Sequence, residues 1–385
     1  MSARRIPARF MRAGTSRGAF VLDRHLPEDP ELRDRVVLTM YGSPDPRQIN
    51  GIGGGDPLTS KIAIVERSNR ADADVDYTFG QVGIDQAQVF WVGNCGNMSA
   101  GVGVVAVEEG LVAPVEPETT VRIYNTNTDK VLTAIVRVDG RDIVESGDTA
   151  IAGVPGTGAP ILLDFGECGG AVTGKTLPTG NPTDAMTLDG HSVLVSIVDA
   201  ATPFVFVRAS DVGMTGDELP GQIDADADLL LRLEAVRSFA ARAIGLVTES
   251  EVAREVSPSI PRVVAVAEPT GYTATTAEYA AAEDIDVLAR QMAMQKTHKT
   301  FAVTGTLCTA VAAYIPGTVV NDVARTNEAG SFRLGHPGGV IEARVGVRAW
   351  GDDIRIDRAA IVRTARTLMM GDLCIPAEVW PEDRT

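Results

Sequence analysis

Lysine is nearly absent from this chain: five residues, at 61, 130, 175, 296 and 299, in a sequence of 385. Basic character rests almost wholly on arginine, so each lysine asks for a chemical reason. Histidine is equally scarce, at 25, 191, 298 and 336, and no HExxH or comparable spacing joins the four, which argues against a metal site. The four cysteines (95, 168, 308, 374) lie far apart with no CxxC pair. Met1-Ser2-Ala3-Arg4-Arg5 leads into Ile6-Pro7-Ala8-Arg9, not into an apolar secretory core. Reduced thiols and a cytoplasmic location are expected. No uncharged apolar run approaches the roughly 20 residues of a membrane span. Net positive charge is also missing: Lys+Arg 35 against Asp+Glu 51 gives −16, which argues against nucleic acid or an anionic membrane as partner. A homodimer is left open.

Glycine is plentiful, and one glycine-rich stretch organises the rest. Val92-Gly93-Asn94-Cys95-Gly96-Asn97-Met98-Ser99-Ala100-Gly101-Val102-Gly103 runs uncharged into Val104-Val105-Ala106-Val107. The pattern predicts a helix capped by Asn94, with Cys95 in its first turn. Unpaired N–H groups and the helix dipole at such an end bind carboxylates and favour a thiolate. Phe301 to Ile315 repeats the design, entered from Val303-Thr304-Gly305-Thr306. Two such helices, one in each half, suggest a pseudo-duplicated chain with a site at their N-termini.

Lys61 opens the apolar strand Lys61-Ile62-Ala63-Ile64-Val65. Withdrawn from water, it is a base at neutral pH; left at the strand end, it snorkels. The preceding Gly51-Ile52-Gly53-Gly54-Gly55 lacks the GxxxxGK[ST] spacing of a phosphate loop. Arg12-Ala13-Gly14-Thr15-Ser16-Arg17-Gly18 reads as a donor-rich turn between two strands, suited to a carboxylate or simply to a hairpin with solvated arginines. Helices are expected over Leu32 to Tyr41, Asp226 to Ile244, Glu283 to Lys299 and Arg363 to Met370. Gly166 to Pro182 is poor in bulky residues and reads as a domain boundary or a functional loop.

Gly14-Thr15-Ser16, Gly42-Ser43-Pro44-Asp45, Ser60-Lys61, Gly93-Asn94-Cys95-Gly96-Asn97, Thr173-Gly174-Lys175, Leu177-Pro178-Thr179-Gly180, Val303-Thr304-Gly305 and Gly335-His336-Pro337 stand in order over nearly the whole chain. Together they resemble the PrpF family of 2-methylaconitate and methylitaconate isomerases and 4-oxalomesaconate tautomerases. The resemblance implies an α/β (α+β), diaminopimelate-epimerase-like fold of two pseudo-symmetric domains, each a sheet wrapped around a central helix, with the active site in the cleft between them. The domains would be residues 1–182, with a helix from Cys95, and 183–385, with a helix from about Thr306, the last residues returning to the first domain.

The resemblance also implies a cofactor-independent double-bond shift by allylic proton transfer in a small unsaturated di- or tricarboxylate. Lys61 matches the proposed catalytic lysine and Cys95 the cysteine at the helix start, as second acid/base or as pocket wall. Thr15, Ser16, Arg17, Ser60, Asn94, Gly96, Asn97, Lys175, His298, Thr304, Gly305 and Thr306 are the candidate substrate contacts, with Lys296 and Lys299 as further cations. The alternative is an amino-acid racemase or epimerase using Cys95 and Cys308 as opposed thiols. It requires the two helices to align cysteine to cysteine; alignment on Gly93 and Gly305 leaves Cys308 buried and off the site. A silent carboxylate-binding protein is a third reading.

Overall fold

The computed structural model describes residues 3–328, 330–350 and 353–380. The chain forms two compact units. One comprises Met1–Ala150, Val154–Leu163 and Arg363–Thr385, the other Ile151–Gly153 and Asp164–Val362. The passage from one to the other falls at Leu163–Asp164, so the stretch 166–182 lies inside the second unit.

The first unit starts with the hairpin Arg4–Ala13 and Ser16–Leu22. Ser16–Leu22 runs parallel to Lys61–Arg67, and a parallel pair needs a crossover, supplied by the helix Pro30–Tyr41. That helix has Pro30 at its first position, Asp29 accepting from the Leu32 N–H, and Gly42 left-handed at its end. Val75–Val82 then pairs antiparallel with Lys61–Arg67. The helix Gly96–Glu108 crosses to Glu118–Asn125, parallel to Val75–Val82 and closed by a hairpin with Lys130–Asp139. On the opposite edge Ala365–Ile375 lies antiparallel along all of Arg4–Ala13.

Strand alternation separates the two faces of this sheet. Ile6, Ala19, Val21, Ile62, Ile64 and Val82 pack on Val36, Val37, Met40 and Tyr41 of the outer helix. Lys61, Ala63, Val65, Tyr77, Phe79 and Gln81 point the other way, toward the side of the central helix Gly96–Glu108. Every residue of that helix from Gly96 to Val107 is buried, which explains why it carries no polar face.

The second unit repeats this order. The hairpin His191–Asp199 and Pro203–Arg208 leads through the helix Ala227–Ala243 to Arg262–Ala267, parallel to Pro203–Arg208. Val287–Ala293 pairs antiparallel, and the buried helix Val303–Ala313 crosses to Ser331–His336, parallel to it and closed by a hairpin with Gly339–Trp350. Val195, Ile197, Val205, Val207, Val263, Ala265 and Met292 face Leu229, Leu233, Val236 and Ala240 of the outer helix. The opposite face carries Phe204, Val264 and Gln291 toward the central helix.

Two expected helices are strands. Glu283 to Lys299 contains Val287–Ala293 and Lys296–Thr297. Val287-Leu288-Ala289-Arg290-Gln291-Met292-Ala293 has good helix formers, but partners on both sides hold it extended. Arg363 to Met370 likewise enters Ala365–Ile375, whose partner Arg4–Ala13 lies at the far end of the sequence. The helices over Leu32 to Tyr41 and Asp226 to Ile244 form as expected. The first central helix is capped by Cys95 instead of Asn94, and the second starts at Val303, ahead of Thr306.

Candidate active site

Lys61 is only 5 % exposed. Its Nζ donates to Gln81 Oε1 at 2.5 Å and stands 5.4 Å from the centre of the Phe79 ring. Gln81 is fixed in turn, because its Nε2 donates to the carbonyls of Ser60 (2.9 Å) and Pro57 (3.2 Å). Its Oε1 is therefore turned toward the lysine. The Tyr41 hydroxyl donates to the Lys61 carbonyl and accepts from the Ala19 N–H, tying the strand start from the outer face. Burial raises the Tyr41 hydroxyl pKa, so it stays protonated. Gln81 and the Phe79 ring thus help to fix the lysine in a buried position where snorkelling is denied.

Cys95 is buried at the cap of the helix Gly96–Glu108. Its carbonyl accepts from the Ser99 N–H (3.0 Å), the Ser99 hydroxyl (3.2 Å) and the Tyr77 hydroxyl (3.5 Å). Those bonds occupy the backbone and leave the thiol at the positive end of the dipole. Asn94 accepts weakly from the Ser99 hydroxyl at 3.4 Å. Asn97 donates to Thr15 Oγ1 at 3.0 Å, which brings the Gly14-Thr15 turn onto the first helical turn. Gly14 has φ +53°, and a Cβ there would overlap Asn97 Oδ1, so this contact requires glycine. Ser16 Oγ is buried and has no partner among the described residues.

Ser60 and Arg17 are placed elsewhere. The Ser60 hydroxyl donates to Gln48 Oε1 (2.8 Å) and the Asp56 carbonyl (3.0 Å), so it serves the loop before the strand. Arg17 shares the parity of Ala19 and Val21 and lies on the outer face, opposite to Lys61.

In the second unit Ala302 caps the helix Val303–Ala313 without a side-chain bond. Its N–H donates to Gln291 Oε1 at 3.3 Å, while Gln291 Nε2 and Thr304 Oγ1 are buried without partners among the described residues. Gly305 lies against Gln291 Oε1, where a Cβ would overlap it. The Thr306 hydroxyl is spent on the Ala302 carbonyl at 3.0 Å. Cys308 sits a turn deeper, fully buried, its Sγ donating to the Val198 carbonyl at 3.3 Å. Burial pushes its thiol pKa well up, and Asp199 and Cys168 add to the shift. The cap position that holds Cys95 in the first unit holds Ala302 here, which removes the two-thiol arrangement.

His298 and His336 share one device. His298 Nδ1 accepts from the Thr300 N–H at 3.2 Å, and His336 Nδ1 from the Gly338 N–H at 3.0 Å. An accepting Nδ1 leaves the proton of each neutral ring on Nε2. Lys175, Lys296 and Lys299 are exposed. The loop that carries Lys175 is anchored on Asp199, whose Oδ2 accepts from the Val172 and Thr173 N–H groups at 2.8 and 2.7 Å. Gln81, Gln291 and Tyr77 were not singled out in the sequence; only strand register brings them to these positions. Among the described residues no group of three or more His, Cys, Asp or Glu side chains is placed to hold a metal. Among the described residues no helix is long and apolar enough to cross a membrane.

This architecture is that of the epimerase-like α/β proteins: a hydroxyproline epimerase from Agrobacterium vitis superposes with a TM-score of 0.57 at 13 % identity, over 98 % of this chain and 97 % of that one. The family is narrower. The chain belongs to the PrpF protein family, whose model matches residues 3–376, as the ordered motifs led one to expect. The crystal structure of methylitaconate-delta-isomerase matches with a TM-score of 0.81 at 47 % identity, over 100 % of this chain and 99 % of that one. The 3-methylitaconate isomerase of Eubacterium barkeri is 49 % identical, over 95 % of this chain and 96 % of its own. The 4-oxalomesaconate tautomerase of Pseudomonas putida is 38 % identical, over 99 % of both.

Proposed function

We propose that this chain shifts a carbon–carbon double bond in a small unsaturated di- or tricarboxylate, with Lys61 as the base. The observation that carries the reading is the setting of Lys61: buried, oriented by Gln81, and on the sheet face turned toward the helix that Cys95 caps. The names of the similar isomerases and tautomerases support the reaction class.

In this reading the substrate carboxylate lies against the Gly96 and Asn97 N–H groups, with Thr15 and Ser16 as neutral donors. Neutral Lys61 takes a proton from the allylic carbon, the electron pair moves into a dienolate, and the carboxylate oxygens bear the charge. The double bond re-forms one position along as a proton returns two carbons away, from the Lys61 ammonium or from the Cys95 thiol. No electron is gained or lost. Asn94 shapes the cap of the helix Gly96–Glu108. The free cysteines support a reducing, cytoplasmic setting.

The test is proton NMR in D2O with a panel of methylitaconate-, methylaconitate- and oxalomesaconate-type acids. A shifted double bond with deuterium at the allylic carbon supports the reading. Binding of every acid without exchange contradicts it and favours a silent carboxylate-binding protein.

A further inference from the structure

Arg17, Arg12 and Arg366 form a row across three neighbouring strands of the first unit. Arg12 stands directly opposite Arg17 on one side and directly opposite Arg366 on the other. Side chains at directly opposed positions leave the sheet on the same face, and the Arg366 charge acts on Arg12 directly. Arg12 has the parity of Ile6 and Ala8, and Arg17 that of Ala19 and Val21; all four pack on the outer side. The row therefore lies on the face away from Lys61 and is a different place from the site described above.

Such a row is unfavourable by itself, since like charges set opposite one another in a sheet repel. Arg9, Arg33, Arg70, Arg122, Arg237 and Arg333 are each matched by a carboxylate within 3 Å. Among the described residues, Arg12, Arg17 and Arg366 form no ion pair. Glu145, held by the Thr367 N–H at 3.2 Å, is the carboxylate whose field reaches Arg12. Burial and Arg366 both push the Arg12 pKa down, as expected where a cation has no counter-charge in contact.

The cations are also held in place. Arg12 Nη1 donates to the carbonyls of Thr364 (2.7 Å) and Gly14 (3.2 Å) and to the Thr364 hydroxyl (3.0 Å). Arg17 lies 5.2 Å from the centre of the Phe10 ring, and a Cβ on Gly54 would come within 2.9 Å of its Nη2. Its Nε is buried with no partner among the described residues. Arranged, partly desolvated guanidinium groups without a carboxylate are the donor set for a multivalent oxyanion.

We propose that the Arg17–Arg12–Arg366 row is a second anion site, on the outer face of the first unit, for a small multivalent oxyanion of the polycarboxylate or phosphate type. It is independent of the isomerase reading, because none of its geometry involves Lys61 or Cys95. Its occupant neutralises the row and stabilises the sheet edge where the hairpin and the strand Ala365–Ile375 meet.

The experiment compares the full-length wild type with Arg366→Glu and Arg366→Gln, choosing the exposed member of the row so that folding is preserved. Melting temperature is followed against inorganic phosphate and against tricarballylate, a saturated tricarboxylate with no double bond to move, at constant ionic strength in chloride. The wild type should gain several degrees with at least one anion. Arg366→Glu should melt higher than the wild type without the anion and lose that gain, with Arg366→Gln in between. A response to phosphate alone or to tricarballylate alone identifies which source of oxyanion fits. Full retention of the wild-type gain in Arg366→Glu overturns the proposal, and so does the absence of any gain in the wild type. Double-bond exchange in D2O is read separately, so failure here leaves the isomerase test untouched.

Discussion

The two units run through the same elements in the same order and differ at the chemistry-bearing positions. In each, a strand facing the central helix presents a glutamine, Gln81 in one and Gln291 in the other. Opposite Gln81 stands Lys61; opposite Gln291 stands Val264. The cap of the first central helix is Cys95 and that of the second is Ala302. Duplication thus supplies two buried helices with uncharged N-terminal ends, while the first unit alone places a lysine beside its glutamine and a cysteine at the cap. Gln81 orients a lysine, whereas Gln291 spends its oxygen on the Ala302 N–H.

Several substitutions would break or sharpen that contrast. Lys61→Arg keeps a cation but offers no base near neutral pH, so kcat should fall by about 10²–10⁴ with substrate affinity changed far less. Steady-state kinetics beside direct binding would check the split. Cys95→Ala should lower kcat by at least about tenfold, while Cys308→Ala should leave it within about twofold and cost on the order of 1–3 kcal/mol of stability through the lost sulfur and its bond to Val198. Equal catalytic losses at the two cysteines would abolish the asymmetry.

Gly14→Ala and Gly305→Ala each place a Cβ on a side chain at a helix N-terminus, Asn97 or Gln291. Both should lose on the order of 1–3 kcal/mol in denaturant titrations, and Gly14→Ala more because of its positive φ. The smallest effect is alkaline. Burial pushes the Tyr272 hydroxyl up to about 12, with the nearby Arg290 charge working against that rise, and burial likewise raises Tyr41 and Tyr77. The unfolded chain releases these protons near pH 10. Their contribution is therefore complete below about pH 10 and lost as pH rises toward about 12. Denaturant titrations at pH 8 and 10.5 should show the drop, and Tyr272→Phe should flatten it in the second unit.

Much of the candidate site is legible in the sequence because scarcity marks it. Lys61 is one of five lysines and opens an apolar strand; Cys95 lies in a glycine-rich run that a water-facing helix would not tolerate. Both buried helices followed from composition. Gln81 and Gln291 did not, since a glutamine within an apolar strand gains meaning only through its cross-strand partner. The arginine row was illegible for the same reason: Arg366 meets Arg12 through a strand pairing across almost the entire chain. Residues 287–293 and 365–375 read as helices because propensity is local, whereas their pairing is not. Cys308 was ambiguous by one residue of register until its hydrogen bond to Val198 placed it in the core.

The most direct test of a single base in the first unit is solvent-deuterium exchange by Lys61→Ala, with bound substrate confirmed by calorimetry in the same preparation. The account predicts retained binding and loss of deuterium incorporation at the allylic carbon, while Cys308→Ala exchanges at close to the wild-type rate. Exchange persisting in Lys61→Ala at the wild-type rate would contradict it and move the proton-transfer group away from Lys61.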